Sequence, residues 1–310
     1  MNPKIKAWIE AMRLRTLPAG VSGVIAGTAC ALYHEGFAWP QAVICLFFAV
    51  GAQIVANFAN EYYDFKNGLD KKGREGFRRG VTEGDIEPGK MKLATYLTLL
   101  ITCLLGCSLI IWGGWWLVFV GLGVGVFALA YSAGPYPLSH HGLGDIAVIG
   151  FFGIIPVIFT QYVESEHLFH DSVTWFVAIA TGLMAANILI VNNYRDFEDD
   201  KKVGKHTTVV IFGKRAMLAV YLFNGIISAI LLAMASSRAP FWVCAGWLSY
   251  LWLHFCVWNK MKNSIGKELN PILKQTSLLL LGVTSYLLII FAIFTESYDN
   301  DGNLPFFLMQ

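Results

Sequence analysis

The chain has 310 residues, 56% of them hydrophobic and only 14% charged, with a formal net charge of +2. A soluble domain carries about 25% charged residues, so water is excluded as the solvent for most of this surface. So small a net charge gives no reason to expect nucleic acid as a partner.

The apolar residues come in blocks long enough to cross a hydrocarbon core of about 30 Å as helices. Residues 4–16 place Trp8, Ile9, Met12 and Leu14 among basic residues and predict a short interfacial helix. Spans follow at 17–33, 39–60, 93–111, 115–132, 145–162, 173–192, 217–234, 241–258 and 275–295, with Gly113-Gly114 separating the third from the fourth. Segments 188–191 and 278–281 are unbroken apolar runs, without the alternation of a β-barrel strand. The first apolar block begins only after Arg13 and Arg15 and is long enough to span, unlike a cleavable signal peptide. The expected fold is therefore all-α: one polytopic membrane domain over 1–310, a bundle of nine transmembrane helices in two similar halves.

Basic residues fix an expected orientation. If the nine helices alternate, 22 of the 23 Lys and Arg lie on one side, in 1–16, 61–92, 193–216 and 259–274, with Arg238 alone opposite. The positive-inside rule makes that side cytoplasmic and implies a multi-pass protein of the inner membrane with its N-terminus inside. The C-terminal tail, with Glu296, Asp299 and Asp301 and no basic residue, falls outside. All six cysteines lie within predicted spans and read as small buried residues rather than a disulfide framework or a metal site.

The two longest cytoplasmic loops begin alike. Asn60-Glu61-Tyr62-Tyr63-Asp64-Phe65 and Asn192-Asn193-Tyr194-Arg195-Asp196-Phe197 share Asn-x-Tyr-x-Asp-Phe, and each runs on to Asp-Lys-Lys at Asp70 and at Asp200. Asn60 and Asp64 are four residues apart, as are Asn192, Asp196 and Asp200, which stacks them on one face at a helix end. Carboxylates and amides are hard oxygen donors suited to Mg²⁺, which usually keeps several waters and also takes substrate phosphates. The same loops carry Lys71, Lys72, Arg74, Arg78 and Arg79, and Arg195, Lys201, Lys202 and Lys205, the natural partners of phosphate oxygens. Together these residues predict two magnesium-bridged halves gripping a diphosphate, and in a membrane a lipid one. Loss of diphosphate from an allylic isoprenyl chain leaves a carbocation for an acceptor to capture. His140 and His141 read as polar loop filler, and His206 as a weak phosphate contact.

These residues resemble the UbiA superfamily of intramembrane aromatic prenyltransferases, over essentially the whole chain. That family has nine helices and two acidic cytoplasmic motifs, here matched by Asn60–Asp64 and by Asp196–Asp200, preceded by Asn192. Within it, the chain is most similar to the menaquinone branch. The resemblance rests also on Arg13-Leu-Arg15-Thr-Leu-Pro18, on Tyr131 to Leu138 with Gly142-Leu-Gly144-Asp145, and on Gly204-Lys205-His206-Thr207. It implies transfer of a polyprenyl chain from its diphosphate to 1,4-dihydroxy-2-naphthoate with decarboxylation, giving demethylmenaquinone. By the same resemblance Asn60, Asp64, Asp70, Asn192, Asp196 and Asp200 would hold Mg²⁺. Asn60, Asn192, Lys72, Arg78, Arg79 and Lys202 would hold the diphosphate, and Tyr131 would face the allylic cation. The catalytic set is thus Asp64, Asp196, Asp200 and Tyr131. One departure stands out: many relatives carry a basic residue after the Gly-Pro of the fourth loop, where this chain has Tyr136.

Two other readings share parts of this pattern. Prenyltransferases of neighbouring branches take 4-hydroxybenzoate or homogentisate with the same metal motifs. A cation- or proton-coupled transporter places ionisable groups near the bilayer midplane, whereas the acidic residues here crowd the cytoplasmic helix ends.

Overall fold

The computed structural model describes residues 3–73, 75–166 and 171–295. Arg74 and the acidic tail at Glu296, Asp299 and Asp301 lie outside these. Among the described residues the structure is helical, and its one strand-like pairing is an isolated bridge between His141 and His206.

The first helix, α1 (Pro3–Ala11), buries Ala7 and Ala11 against Phe58, Val81, Ile86 and Met91, and sets Trp8 edge-on to Phe58. α2 (Leu17–Tyr33) runs through the interior, with Ala26, Ala29, Cys30 and Ala31 fully buried. α3 (Trp39–Lys66) has 28 residues, about 42 Å at 1.5 Å per residue, so its last turns reach past a hydrocarbon core of about 30 Å. After the short α4 (Gly80–Glu83), α5 (Pro88–Cys107) packs along α3. The single turn α6 (Ile110–Gly113) and Gly114, at φ 80°, separate it from α7 (Leu117–Ala130). The predicted break at Gly113-Gly114 is there, with the preceding helix starting and ending earlier than 93–111.

α8 (Gly144–Val148) continues through a π-helical stretch, Ile149–Ile154, into α9 (Ile155–Ser165). Pro156 has no N–H to donate into an α-helical ladder, and the π stretch lies directly ahead of it. Close packing follows. A Cβ on Gly27 of α2 would fall 2.6 Å from Thr160 Cβ, and one on Gly23 would fall 2.7 Å from Pro156 Cγ, so only small residues allow α2 and α9 to meet. α10 (Ser172–Arg195) starts at Asp171, whose carboxylate accepts the Thr174 N–H at 3.0 Å. The last described helices are α11 (Phe197–Lys202), α12 (Thr208–Ala235), α13 (Cys244–Lys262) and α14 (Leu269–Thr295).

Seven helical stretches among the described residues are long and apolar enough to cross a membrane. The other two predicted spans are apolar helices of 17 and 14 residues, α2 and α7. At 1.5 Å per residue these are about 26 and 21 Å long, short of a core of about 30 Å. Of the nine expected spans, seven are thus full-length helices and two, α2 and α7, are shorter apolar ones. Leu104, Ile111, Phe119, Leu248 and Trp252 point outward, as lipid-facing side chains do.

Candidate functional site

Both acidic motifs sit at the C-terminal ends of long helices, α3 and α10, and each is followed by a short helix, α4 or α11. On α3, Asn60 and Asp64 lie one turn apart, and Asn60 Nδ2 donates to Asp64 Oδ2 at 3.1 Å and to Ser132 Oγ at 3.0 Å. The neighbouring Glu61 is 1% exposed and accepts the Val81 N–H at 3.1 Å. That bond anchors the start of α4, and Arg79, the residue just before it, turns inward. Its Nη2 donates to Asn60 Oδ1 at 2.9 Å and its Nε lies 3.4 Å from Asp70 Oδ2. Arg13 donates to the same Asn60 oxygen. Gly68, at φ 69°, takes the left-handed turn after α3, on the way to buried Asp70.

The second motif is held by Arg195, which is 4% exposed. It forks onto Asp196 through Nε at 2.7 Å and Nη2 at 3.0 Å, donates from Nη2 to Asn192 Oδ1 at 2.7 Å, and reaches Asn270 Oδ1 of α14 at 2.9 Å. Asp200 begins one turn later, its N–H donating to Asp196 O at 2.8 Å.

The two loops meet. Lys205 Nζ of the second lies 2.7 Å from Asp64 Oδ2 of the first, and the Glu75 N–H donates to Asp199 Oδ2 at 2.9 Å. The guanidinium groups of Arg15 and Arg195 both lie over the Phe77 ring, at 4.8 and 4.7 Å from its centre. The segment after α7 adds a third side: His140 Nε2 is 3.1 Å from Asp64 Oδ1, while His140 O accepts the His206 N–H at 3.0 Å. Asp64 is thereby buried among a lysine, a histidine and an amide.

Asn60, Asn192 and Tyr131 line one end of a cavity of about 300 Å³ whose walls are otherwise largely apolar. It continues between α3, α7 and α9 past Phe127 and Phe152 to Cys45, Leu117 and Val163. From Asn60 to Cys45 is 15 residues of helix, about 22 Å. Such a shape suits a polar head at the motif end and a long apolar tail along the membrane.

Of the residues predicted from sequence, Asn60, Asp64, Asp70 and Arg79 form one cluster, and Asn192, Asp196 and Asp200 a second that Lys205 joins to it. Three cations are placed elsewhere. Arg78 is half-exposed and pairs with Asp85, Lys72 is exposed, and Lys202 is exposed with Asp199 at 4.0 Å. Tyr136 is exposed and stacks on His141 at 3.6 Å. Sequence reasoning gave no site role to Arg13, Ser132, Glu61 or His140. For His140 the spacing carried no signal, since it is 76 residues from Asp64.

The donor set is all oxygen, carboxylate and amide, and fits magnesium. Among the described residues no three acidic, histidine or cysteine groups stand close enough to hold an ion alone. Magnesium carried by a diphosphate needs only one or two protein carboxylates, so these residues fit it.

The UbiA prenyltransferase family is matched over residues 21–269. A 1,4-dihydroxy-2-naphthoate octaprenyltransferase of Haemophilus influenzae is 32% identical over 297 residues, covering 90% of this chain and 93% of that one. A protein of the same name from Escherichia coli is 32% identical over 280 residues, covering 87% and 88%. The solved structure of a UbiA homolog from Archaeoglobus fulgidus bound to DMAPP and Mg²⁺ has the same fold. Its TM-score is 0.67 over 92% of this chain and 99% of that one, at 16% identity. The chain belongs to the UbiA prenyltransferase family.

Proposed function

We propose that this prenyltransferase moves a polyprenyl chain from its diphosphate onto 1,4-dihydroxy-2-naphthoate, with loss of the ring carboxylate as carbon dioxide. The product is the quinol form of a demethylmenaquinone, with both ring hydroxyls kept. The names of the relatives that align over most of its length support this acceptor. The observation that carries the site is the 2.7 Å contact between Lys205 and Asp64, which joins the two motif loops at the polar end of an apolar cavity.

In this reading 1–310 is one domain with its active-site loops at 61–92 and 193–216, facing the cytoplasm from the inner membrane, N-terminus inside. Asp64, Asp196 and Asp200, with Asp70, Asn60 and Asn192, would hold a magnesium ion beside the diphosphate. Magnesium supplies charge neutralisation to the departing diphosphate. Arg79 and Arg13, both bonded to Asn60, add fixed positive charge beside it. Tyr131 presents its ring to the allylic carbon, and the apolar walls hold the tail and exclude water. The carbon–oxygen bond to diphosphate breaks, a ring carbon of the naphthoate captures the allylic cation left behind, and the ring sheds its carboxylate as carbon dioxide.

Proteoliposomes of the purified protein, given Mg²⁺, a polyprenyl diphosphate and either dihydroxynaphthoate or 4-hydroxybenzoate, test this. Prenylated, decarboxylated product forms with the naphthoate. Turnover with 4-hydroxybenzoate instead moves the chain to another branch, and ion flux without diphosphate release overturns the enzyme.

A further inference from the structure

Lys205 is the one buried lysine among the described residues. Its ammonium is 2.7 Å from Asp64 Oδ2, on a carboxylate whose side chain is 0% exposed. The other carboxylate oxygen faces His140 Nε2 at 3.1 Å, and Asn60 Nδ2 also donates to Oδ2 at 3.1 Å. The backbone fixes the base of the lysine: its N–H donates to Asp200 O at 2.9 Å, and Gly204 turns the chain at φ 75°. A buried charge is costly unless it is paired, and here the ammonium and the carboxylate pair with each other.

Asp64 is also one of the oxygen donors assigned to magnesium, and the two cations want the same oxygen. A metal ion arriving alone must expel the ammonium from the one carboxylate it pairs with among the described residues, and brings no counter-ion for it. A metal arriving on a diphosphate brings that counter-ion, because phosphate oxygens accept the displaced ammonium. Lysine is suited to such a transfer, being a compact charge on a flexible four-carbon stem.

We propose that Lys205 stands in for the metal at Asp64 and passes to the diphosphate when a metal–diphosphate complex binds, so that metal and diphosphate load together. This rests on reading the site as a magnesium–diphosphate site. Linkage makes the coupling reciprocal: the factor by which diphosphate raises metal affinity equals the factor by which metal raises diphosphate affinity.

Mn²⁺ binding, followed by the EPR signal of the free ion, tests it on the full chain in nanodiscs. Wild type, Lys205→Gln and Lys205→Arg are each titrated with and without a non-reacting prenyl thiodiphosphate. In wild type the analogue raises Mn²⁺ affinity at least about tenfold, within the usual range of site–site coupling. Lys205→Gln binds Mn²⁺ alone at least about tenfold more tightly than wild type and loses most of the coupling, while Lys205→Arg retains it. Equal Mn²⁺ affinity in wild type and Lys205→Gln without the analogue overturns the proposal. So does a wild-type affinity indifferent to the analogue, which decides the matter even if Lys205→Gln fails to fold. These results are separable from failure of the functional reading, which appears as absent naphthoate turnover in wild type.

Discussion

Arg78 and Arg79 are adjacent, and the fold treats them oppositely. Arg79 has 9% of its side chain exposed and bonds Asn60 and Asp70, whereas Arg78 is 49% exposed and pairs with Asp85 at the surface. A buried hydrogen bond to a charged group contributes about 1.5–3 kcal/mol, which is roughly 10- to 150-fold in rate when lost from the reacting complex. An exposed ion pair contributes about 0–1 kcal/mol, less than about fivefold. Arg79→Ala therefore lowers kcat/KM for the polyprenyl diphosphate by roughly 10- to 150-fold, and Arg78→Ala by less than about fivefold. Arg79→Lys falls between them, since a point charge cannot bond Asn60 and Asp70 together. Initial rates of product formation at sub-saturating diphosphate, in proteoliposomes of matched protein content, read the difference. Equal losses in the two alanine variants, or the larger loss in Arg78→Ala, would refute the reasoning.

Three further outcomes are expected. Chelation of divalent metal abolishes turnover, and added Mg²⁺ restores it, while Asp64→Asn and Asp196→Asn remain inactive at saturating Mg²⁺. A Cβ on Gly121 would meet nothing within 4 Å beside the cavity, so Gly121→Phe folds but obstructs the tail. It lowers kcat/KM for a long polyprenyl diphosphate at least about tenfold relative to geranyl diphosphate, measured by competition of the two substrates. At the opposite end of the bundle, partial burial pushes the Asp171 carboxyl up. The hydrogen bond from His34 at 2.9 Å, with those from Thr174, outweighs it and holds the group below its usual value. A depressed carboxyl stabilises the fold above its unfolded value and ceases to as pH falls through its folded one. The melting-temperature gap between wild type and Asp171→Asn is thus full at pH 6 and closes as pH drops below about 4.

The features legible in sequence were those that depend on helical period. Asn60 with Asp64, and Asn192 with Asp196, follow from four-residue spacing at helix ends, and the apolar blocks follow from the thickness of the bilayer. Choosing between Arg78 and Arg79 was not legible, because it depends on the Glu61 carboxylate anchoring the Val81 N–H. Neither was the partner of Asp64: Lys205 lies 141 residues away, and only the folded turn at Gly204 brings it back. His140 reads as loop filler in a chain and becomes a contact of Asp64 only when His206 pairs with its carbonyl. The length of α2 was legible, since the apolar block at 17–33 is the helix observed, but its burial was not, because an apolar block does not say whether it faces lipid or, as here, its own neighbours.

The central claim is that both acidic turns hold one metal-bound diphosphate. Binding of a prenyl thiodiphosphate in the presence of Mn²⁺, measured on wild type, Asp64→Asn and Asp196→Asn, addresses it most directly. The account predicts that each substitution alone weakens binding at least about a hundredfold, as loss of a paired buried charge does. Wild-type affinity in either variant would contradict it.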